Sequence, residues 1–266
     1  MSKVSFNFNL EPTEAIQYLK NKGFKLSFDY TELQKEAHNK AFTVAKVTRL
    51  DLLNDIYEAI IKGIEKGESF TEFQKNIKPT LQKKGWWGEQ DILNPTTGEI
   101  KKVNIGSRRL QNIYDTNTRV AYSVGRYNSQ MLSSTKVYLR YVSKLLVNTR
   151  EEHREMHGII KHRDDVFWEE NYPPNGWGCV CKAVAYSQKD LDKKGWKVTT
   201  EDLPNIADKG WDYNVGKSGN KVGKLSKINL DKSLESLPKV EKNTDYETLS
   251  DIALLELFYQ KLGVDK

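Results

Sequence analysis

Both cysteines of this 266-residue chain and three of its four histidines fall between His153 and Cys181. Metal-ligating side chains concentrated in one short stretch read as a metal site, and such a site constrains a fold by forcing its ligand-bearing elements together. His153 and His157 lie four apart in Thr149-Arg150-Glu151-Glu152-His153-Arg154-Glu155-Met156-His157-Gly158. Thr149 and Glu152 have capping-box spacing and Gly158 suits a helix stop, so the segment predicts a helix with both imidazoles on one face. Cys179 and Cys181 open the β-like run Cys179-Val180-Cys181-Lys182-Ala183-Val184-Ala185-Tyr186, in which residues two apart point the same way. Two imidazoles from one element and two thiolates from another make the Cys2His2 donor set that tetrahedral Zn2+ takes in closed structural sites. His162 lies beyond the helix stop, outside this set.

Blander readings stay open beside it. The cysteines can be plain core thiols, and histidines four apart on a charged helix can be solvated or hydrogen-bonded. An internal disulfide would be strained, because a C-x-C pair on an extended strand separates its Cα atoms by about 6.5 Å. A zincin-type catalytic reading meets a different obstacle. Glu155 sits two residues after His153, so on a helix it is rotated about 200° away and cannot act as base beside a metal-bound water. Four protein ligands also leave no open coordination position. The adjacent Asp164 and Asp165 diverge on any regular element and read as a turn or helix cap.

With 38% hydrophobic residues, the chain can bury a sizeable core in one large or two small domains. No apolar run approaches the roughly 20 residues of a membrane span, and the segment from Met1 to Asn7 has no apolar signal-peptide core. The expectation is a soluble protein that stays in the cytosol, where cysteines serve as thiols or metal ligands. The net charge of +6 permits contact with phosphate or an acidic protein surface, but the lysines are spread among nearly as many acids.

Helical periodicity dominates from Pro12 to about Gln82: a short helix from Glu14 to Leu19, a long one across Tyr30 to Lys66, and a third from Ser69 to Leu81 that Pro79 should bend or end. Asp91 to Val103 reads as a β-hairpin around Pro95-Thr96-Thr97-Gly98. Ser107 to about Leu132 reads as a strong helix bearing Arg108, Arg109, Arg119 and Arg126, and Val137 to Val147 as a strand running into the histidine helix. Between the two ligand pairs lies a Pro/Gly-rich loop whose Phe167, Trp168, Tyr172 and Trp177 are either surface anchors or packing against the clamp. The fold class is α+β: a helical N-terminal region (1–84), a small mixed α/β domain holding the metal clamp (85–216), a polar linker (217–244) and a C-terminal helix with a wide apolar face (245–266).

The run Thr149-Arg150-x-x-His153, His157-Gly158, Asp164-Asp165-x-Phe167-Trp168 and Tyr172-Pro173-Pro174-Asn175-Gly176-Trp177-x-Cys179-x-Cys181 resembles the phage Mu F-like family of minor head, or head morphogenesis, proteins. Ala41 to Ala45, Gly85 to Gly88, Ile113 to Asn117, Tyr138 to Tyr141 and Gly210 to Asn214 resemble that family in the same order, so the resemblance covers roughly Asn9 to Gly216. It implies a low-copy minor capsid protein of a tailed double-stranded DNA phage or prophage. Such a protein acts in head assembly by binding portal and other head proteins, with possible contact to DNA. It has no small-molecule substrate and no membrane anchor. Its place would be the virion head interior, and the host bacterial cytoplasm during assembly. Enzymatic activity is not the family's role, and its His/Cys signature maps onto His153, His157, Cys179 and Cys181 as metal ligands. This chain has Val180 where members often carry Arg, and Leu146 where they tend to carry Asp. The rival from another class is a metal-dependent nuclease or other hydrolase using the His/Cys site with Asp164 or Asp165.

Overall fold

A computed structural model describes residues 13–25, 27, 41–94 and 97–222. In chain order these form α1 (Thr13–Lys20), β1 (Gly23–Phe24), β2 (Ala41–Phe42), α2 (Leu50–Lys66), α3 (Phe70–Lys83), β3 (Gly88–Leu93), β4 (Ile100–Ile105), α4 (Ser107–Leu132), β5 (Tyr138–Val142), α5 (Glu151–Glu155), β6 (Ile160–His162), α6 (Phe167–Asn171), β7 (Lys182–Tyr186), α7 (Gln188–Lys194) and α8 (Val215–Val222). Helices and small sheets are mixed: β1 and β2 make a parallel pair, β3 and β4 a hairpin, and the third sheet is antiparallel in the order β6-β5-β7.

The helices follow from their patterning and caps. In α2 the residues Leu52, Leu53, Ile56, Tyr57, Ile60, Ile61 and Ile64 recur at three- and four-residue steps and are all buried, the stripe expected of a helix lying on a core. It ends at Gly67, whose φ of 63° is easy only for glycine, and the amide of Glu68 closes on the carbonyl of Gly63 at 2.8 Å, a Schellman stop. At the start of α3, Ser69 and Glu72 form a capping box, and their hydrogen bonds hold the Glu72 carboxyl below its ordinary range. Pro79 sits inside α3 without ending it. Arg163 caps the other end of α4, donating to the carbonyls of Gln130, Met131 and Ser133, where a cation meets the negative end of the helix dipole.

Two hydrophobic clusters share α4. The first gathers α1, α2, α3 and the hairpin around Leu110, Ile113, Val120 and Val124, with Trp211, Tyr213 and Val215 closing it. The second lies on the β6-β5-β7 sheet: Leu139, Tyr141, Met156, Phe167, Trp168, Tyr172 and Ala183, with Tyr127 and Met131 of α4 packed against it. α8 lies so close to α4 that a Cβ on Gly219 would fall 2.5 Å from a Val124 methyl.

Several sequence expectations change. Of the helix expected across Tyr30 to Lys66, residues 41–49 are not helical and α2 runs from Leu50; residues 30–40 lie outside the described residues. Ala41-Phe42 instead pairs with Gly23-Phe24, and Lys46 has a φ of 65° that no α-helix accommodates. The strand expected over Val137 to Val147 leaves the sheet after Val142, and Leu145 turns the chain with a φ of 52°. Residues 217–222, expected in the linker, belong to α8. The rest of that linker and the terminal helix lie outside the described residues.

Lys22 is 2% exposed, with its ammonium 5.2 Å from the Tyr18 ring centroid. Burial lowers its pKa from 10.5 to about 7. Between those two values the unfolded chain holds a proton that the native protein does not, so native stability rises as pH climbs from about 7 to 10.5. Lys22→Met removes that dependence. Denaturant unfolding at pH 7 should show the variant more stable by on the order of 3–5 kcal/mol, with a flatter pH profile.

Candidate metal centre

α5 carries His153 into the protein, where the residue is 2% exposed. The cysteines arrive from the other side, just before β7 starts at Lys182. Nδ1 of His153 lies 3.6 Å from Sγ of Cys179 and 3.7 Å from Sγ of Cys181. The three ligand atoms all fall within 4.8 Å of one another, an arrangement compatible with a metal ion. The other ring nitrogen of His153, Nε2, is buried and has no hydrogen-bond partner among the described residues.

A hydrogen-bonded loop delivers the cysteines. Asn175 is fully buried; its Oδ1 accepts from the Tyr141 hydroxyl at 3.0 Å, its Nδ2 donates to the Glu170 carbonyl, and its own carbonyl accepts from the Asp208 amide at 2.9 Å. Arg150, at the N-terminus of α5, donates both to the Trp177 carbonyl (2.9 Å) and to Asp208 Oδ2 (2.8 Å), so one guanidinium ties the histidine helix to the cysteine loop. A Cβ on Gly176 would run into the Asp208 carboxylate and force that side chain to move.

Mutual contact pushes the two thiols in opposite directions. The Cys181 pKa is drawn down to about 4, first by the Cys179 thiol beside it and, against the cost of burial, by His153 and the hydroxyls of Tyr141 and Ser143. The same contact with Cys181, together with burial, pushes Cys179 up. A metal would displace thiol protons from the pair on binding.

The structure gathers three of the four sequence candidates and leaves His157 outside. α5 ends at Glu155, so the two histidines do not share one helical face. Nδ1 of His157 instead lies 3.2 Å from the amide nitrogen of Ser143 and 3.0 Å from its carbonyl oxygen. His162 sits on β6, edge-on to Tyr138 and 3.4 Å from Asp164. Asp165 Oδ1 accepts from the Phe167 amide at 2.9 Å, the cap expected of it. Neither Asp164, Asp165 nor Glu155 joins the ligand cluster. Tyr141, Ser143, Asn175, Arg150 and Asp208 had no metal-site signal of their own; strand alternation through Leu139, Tyr141 and Ser143 was the one clue that these side chains share a face.

A family model for Phage Mu protein F like protein matches residues 54–184. The putative capsid assembly protein F of Escherichia phage Mu is 39% identical over 199 residues, covering 74% of this chain and 45% of its own. The chain belongs to the phage Mu F-like family. The Mu-like prophage FluMu F protein of Haemophilus influenzae is 36% identical over 179 residues, 66% of this chain and 42% of its own. This chain thus spans somewhat under half the length of both curated relatives. No solved structure gives a significant match. The matched segment contains His153, Cys179 and Cys181, so the candidate centre of this Mu F-like protein lies within the family region.

Of the loop aromatics, Phe167, Trp168 and Tyr172 are buried in the second cluster, and Trp177 is 38% exposed, edge-on to Trp211. Trp168→Ala should therefore cost about 3–5 kcal/mol in denaturant unfolding, and Trp177→Ala well under half as much. Equal losses would mean that the exposed ring is as much a part of the core as the buried one.

Proposed function

We propose that this Mu F-like protein acts in head morphogenesis of a tailed double-stranded DNA phage or prophage, binding portal and other head proteins. A Cys2His zinc centre would fix the shape of its sheet domain. The observation that carries the assembly role is the 39% identity, across 74% of this chain, to the putative capsid assembly protein F of Escherichia phage Mu. Its place of action would be the head interior, reached from the host cytoplasm during assembly. The net charge of +6 leaves room for accessory contact with packaged DNA. No helix among the described residues is long and apolar enough to cross a membrane.

The donor set fits zinc by its dimensions. Zn–S near 2.3 Å and Zn–N near 2.0–2.1 Å at a tetrahedral angle separate sulfur from nitrogen by about 3.6 Å. The two observed separations are 3.6 and 3.7 Å. A shared cation accounts for both distances at once. Bound zinc would supply cross-linking energy between α5 and the loop before β7. His153 and the cysteines would hold it, while Arg150, Asn175 and Asp208 orient the two elements that carry them. The placement of Glu155, Asp164 and Asp165 away from the cluster supports a structural over a hydrolytic use, since none is poised to take a proton from water there.

Two measurements test this reading. Protein purified without chelator should contain about one zinc per chain by elemental analysis, and the Cys179→Ser/Cys181→Ser double variant should lose the metal and melt markedly lower. Wild-type protein that carries no metal when isolated without chelator, and whose melting temperature the double substitution leaves unchanged, would remove the zinc. Separately, the protein should sediment with portal-containing particles from induced or infected cells. Its absence from all such particles would remove the assembly role.

A further inference from the structure

We propose that the face of the β6-β5-β7 sheet turned away from the second cluster binds single-stranded nucleic acid, with phosphates on Arg140 and Lys194 and bases against the rings of Tyr138 and His162. The inference gives the DNA contact of the assembly reading a surface, rests on that reading for the source of the strand, and makes no use of the metal.

Strand register decides which side chains share this face. Leu139, Tyr141, Ala183 and Ala185 pack into the second cluster together with Cys181, so Tyr138, Arg140, Val184 and Tyr186 point the other way. All four are half-buried. Tyr138 stands opposite His162 of β6 on one side and Tyr186 of β7 on the other, which sets three rings in one row across the sheet. The His162 side chain is 47% exposed, and its ring meets Tyr138 edge-on with centroids 5.8 Å apart. Past β7 the chain forms α7, turns at Gly195 and lays Trp196 edge-on against Tyr186 at 5.2 Å.

The charge of this face complements phosphate. The Trp196 ring gathers two cations, Arg140 with Cζ 4.5 Å and Lys194 with Nζ 4.8 Å from its centroid. Among the described residues the Arg140 guanidinium makes no hydrogen bond or ion pair. Stacking on an indole occupies the flat side of a guanidinium and leaves its in-plane N–H groups, the ones that grip phosphate oxygens, unspent. Residues 136–144 and 182–199, which supply β5, β7 and the crossing that carries Trp196, hold eight Lys and Arg against two Asp. That surplus equals the +6 of the whole chain, while 160–165, with β6 and its turn, are balanced at two of each sign. Both acids, Asp190 and Asp192, accept hydrogen bonds within α7, from Ser187 and Gln188. Rings interleaved with excess cations suit a single strand, whose bases offer faces to stack and whose phosphates carry the charge. A duplex keeps its bases stacked on one another, and an acidic peptide matches the cations but not the rings.

The test titrates the full chain into a fluorescein-labelled oligothymidylate probe and reads anisotropy across a salt series. Binding is expected, weakening as salt rises. Tyr138→Leu should weaken it about tenfold, and Tyr138→Phe, which keeps the ring, by less than about twofold. Arg140→Gln should lower affinity and also reduce the slope of log affinity against log salt by about 0.7, the share of one phosphate. Lys75→Gln, which removes an exposed cation of α3, should leave both unchanged. Photocross-linking of unmodified protein to a bromodeoxyuridine probe needs no variant to fold, and its adducts should fall within Tyr138–Val142, His162 or Tyr186. Absence of binding, equal losses from Lys75→Gln and Arg140→Gln, equal affinity for a duplex of the same length, displacement of the probe by polyglutamate of matched charge, or adducts confined elsewhere overturns the proposal. Should binding fail while the protein still sediments with portal-containing particles, this surface falls and the assembly role stands; binding by protein that is absent from those particles gives the reverse.

Discussion

One helix is common to both halves of the hydrophobic interior. The 26 residues of α4 span about 39 Å at 1.5 Å per residue, long enough to present one face to the helical cluster and its last turns to the sheet. Leu110, Ile113, Val120 and Val124 serve the first cluster; Tyr127 and Met131 serve the second. At the seam the contacts become polar and directional. Gln130 is buried, accepts from the Tyr172 hydroxyl at 2.8 Å and donates to the Ala183 carbonyl at 2.9 Å, so its amide fixes the loop and the strand beside the cysteines to the same helical turn. Arg163 then secures the helix end to the residue after β6. Shifting α4 would displace the loop and the strand that flank the cysteines, which is why so small a sheet can present them in a defined place.

Within that frame, the loop from Tyr172 to Gly178 is held by hydrogen bonds more than by apolar burial. Asn175 makes three, to three different parts of the chain, and a buried amide satisfied in this way specifies one loop geometry because any other strands its polar atoms. The Arg150–Asp208 pair is partly exposed, with side chains 38% and 33% accessible, so its electrostatic energy is modest. Its value is positional: the same guanidinium nitrogen that meets Asp208 also reaches the Trp177 carbonyl.

Much of this was legible in the sequence, and the failures have physical causes. α4 runs from Ser107 to Leu132, the limits its apolar stripe implies, because a long amphipathic repeat is the strongest local signal a chain carries. The hairpin was readable from its turn residues and α3 from its helical periodicity. The stretch before Leu50 shows the opposite. Ala41, Val44 and Val47 keep helical spacing, yet Phe42 is fully buried in a strand pair and Val47 in an isolated bridge to Ser27; pairing with a segment about twenty residues away overrode local periodicity. Short elements are where tertiary contacts most easily outweigh propensity.

The candidate site divides along the same line. The identity of its donors was visible, because cysteine and histidine are rare and were concentrated; their grouping was not, because it depends on where a five-residue helix stops. A continuous helix through His157 would have put both rings on one side, four residues apart. Ending at Glu155 instead lets the Met156 side chain enter the sheet core and turns His157 to the Ser143 peptide. Met156 is 4% exposed among Leu139, Tyr141 and Trp168, and burying a side chain of that size is worth about 1.5–3 kcal/mol, more than the one or two helical hydrogen bonds forgone, at about 1 kcal/mol each. The packing of a methionine thus goes with His157 lying apart from the cysteines, a placement that residue spacing in this stretch does not encode.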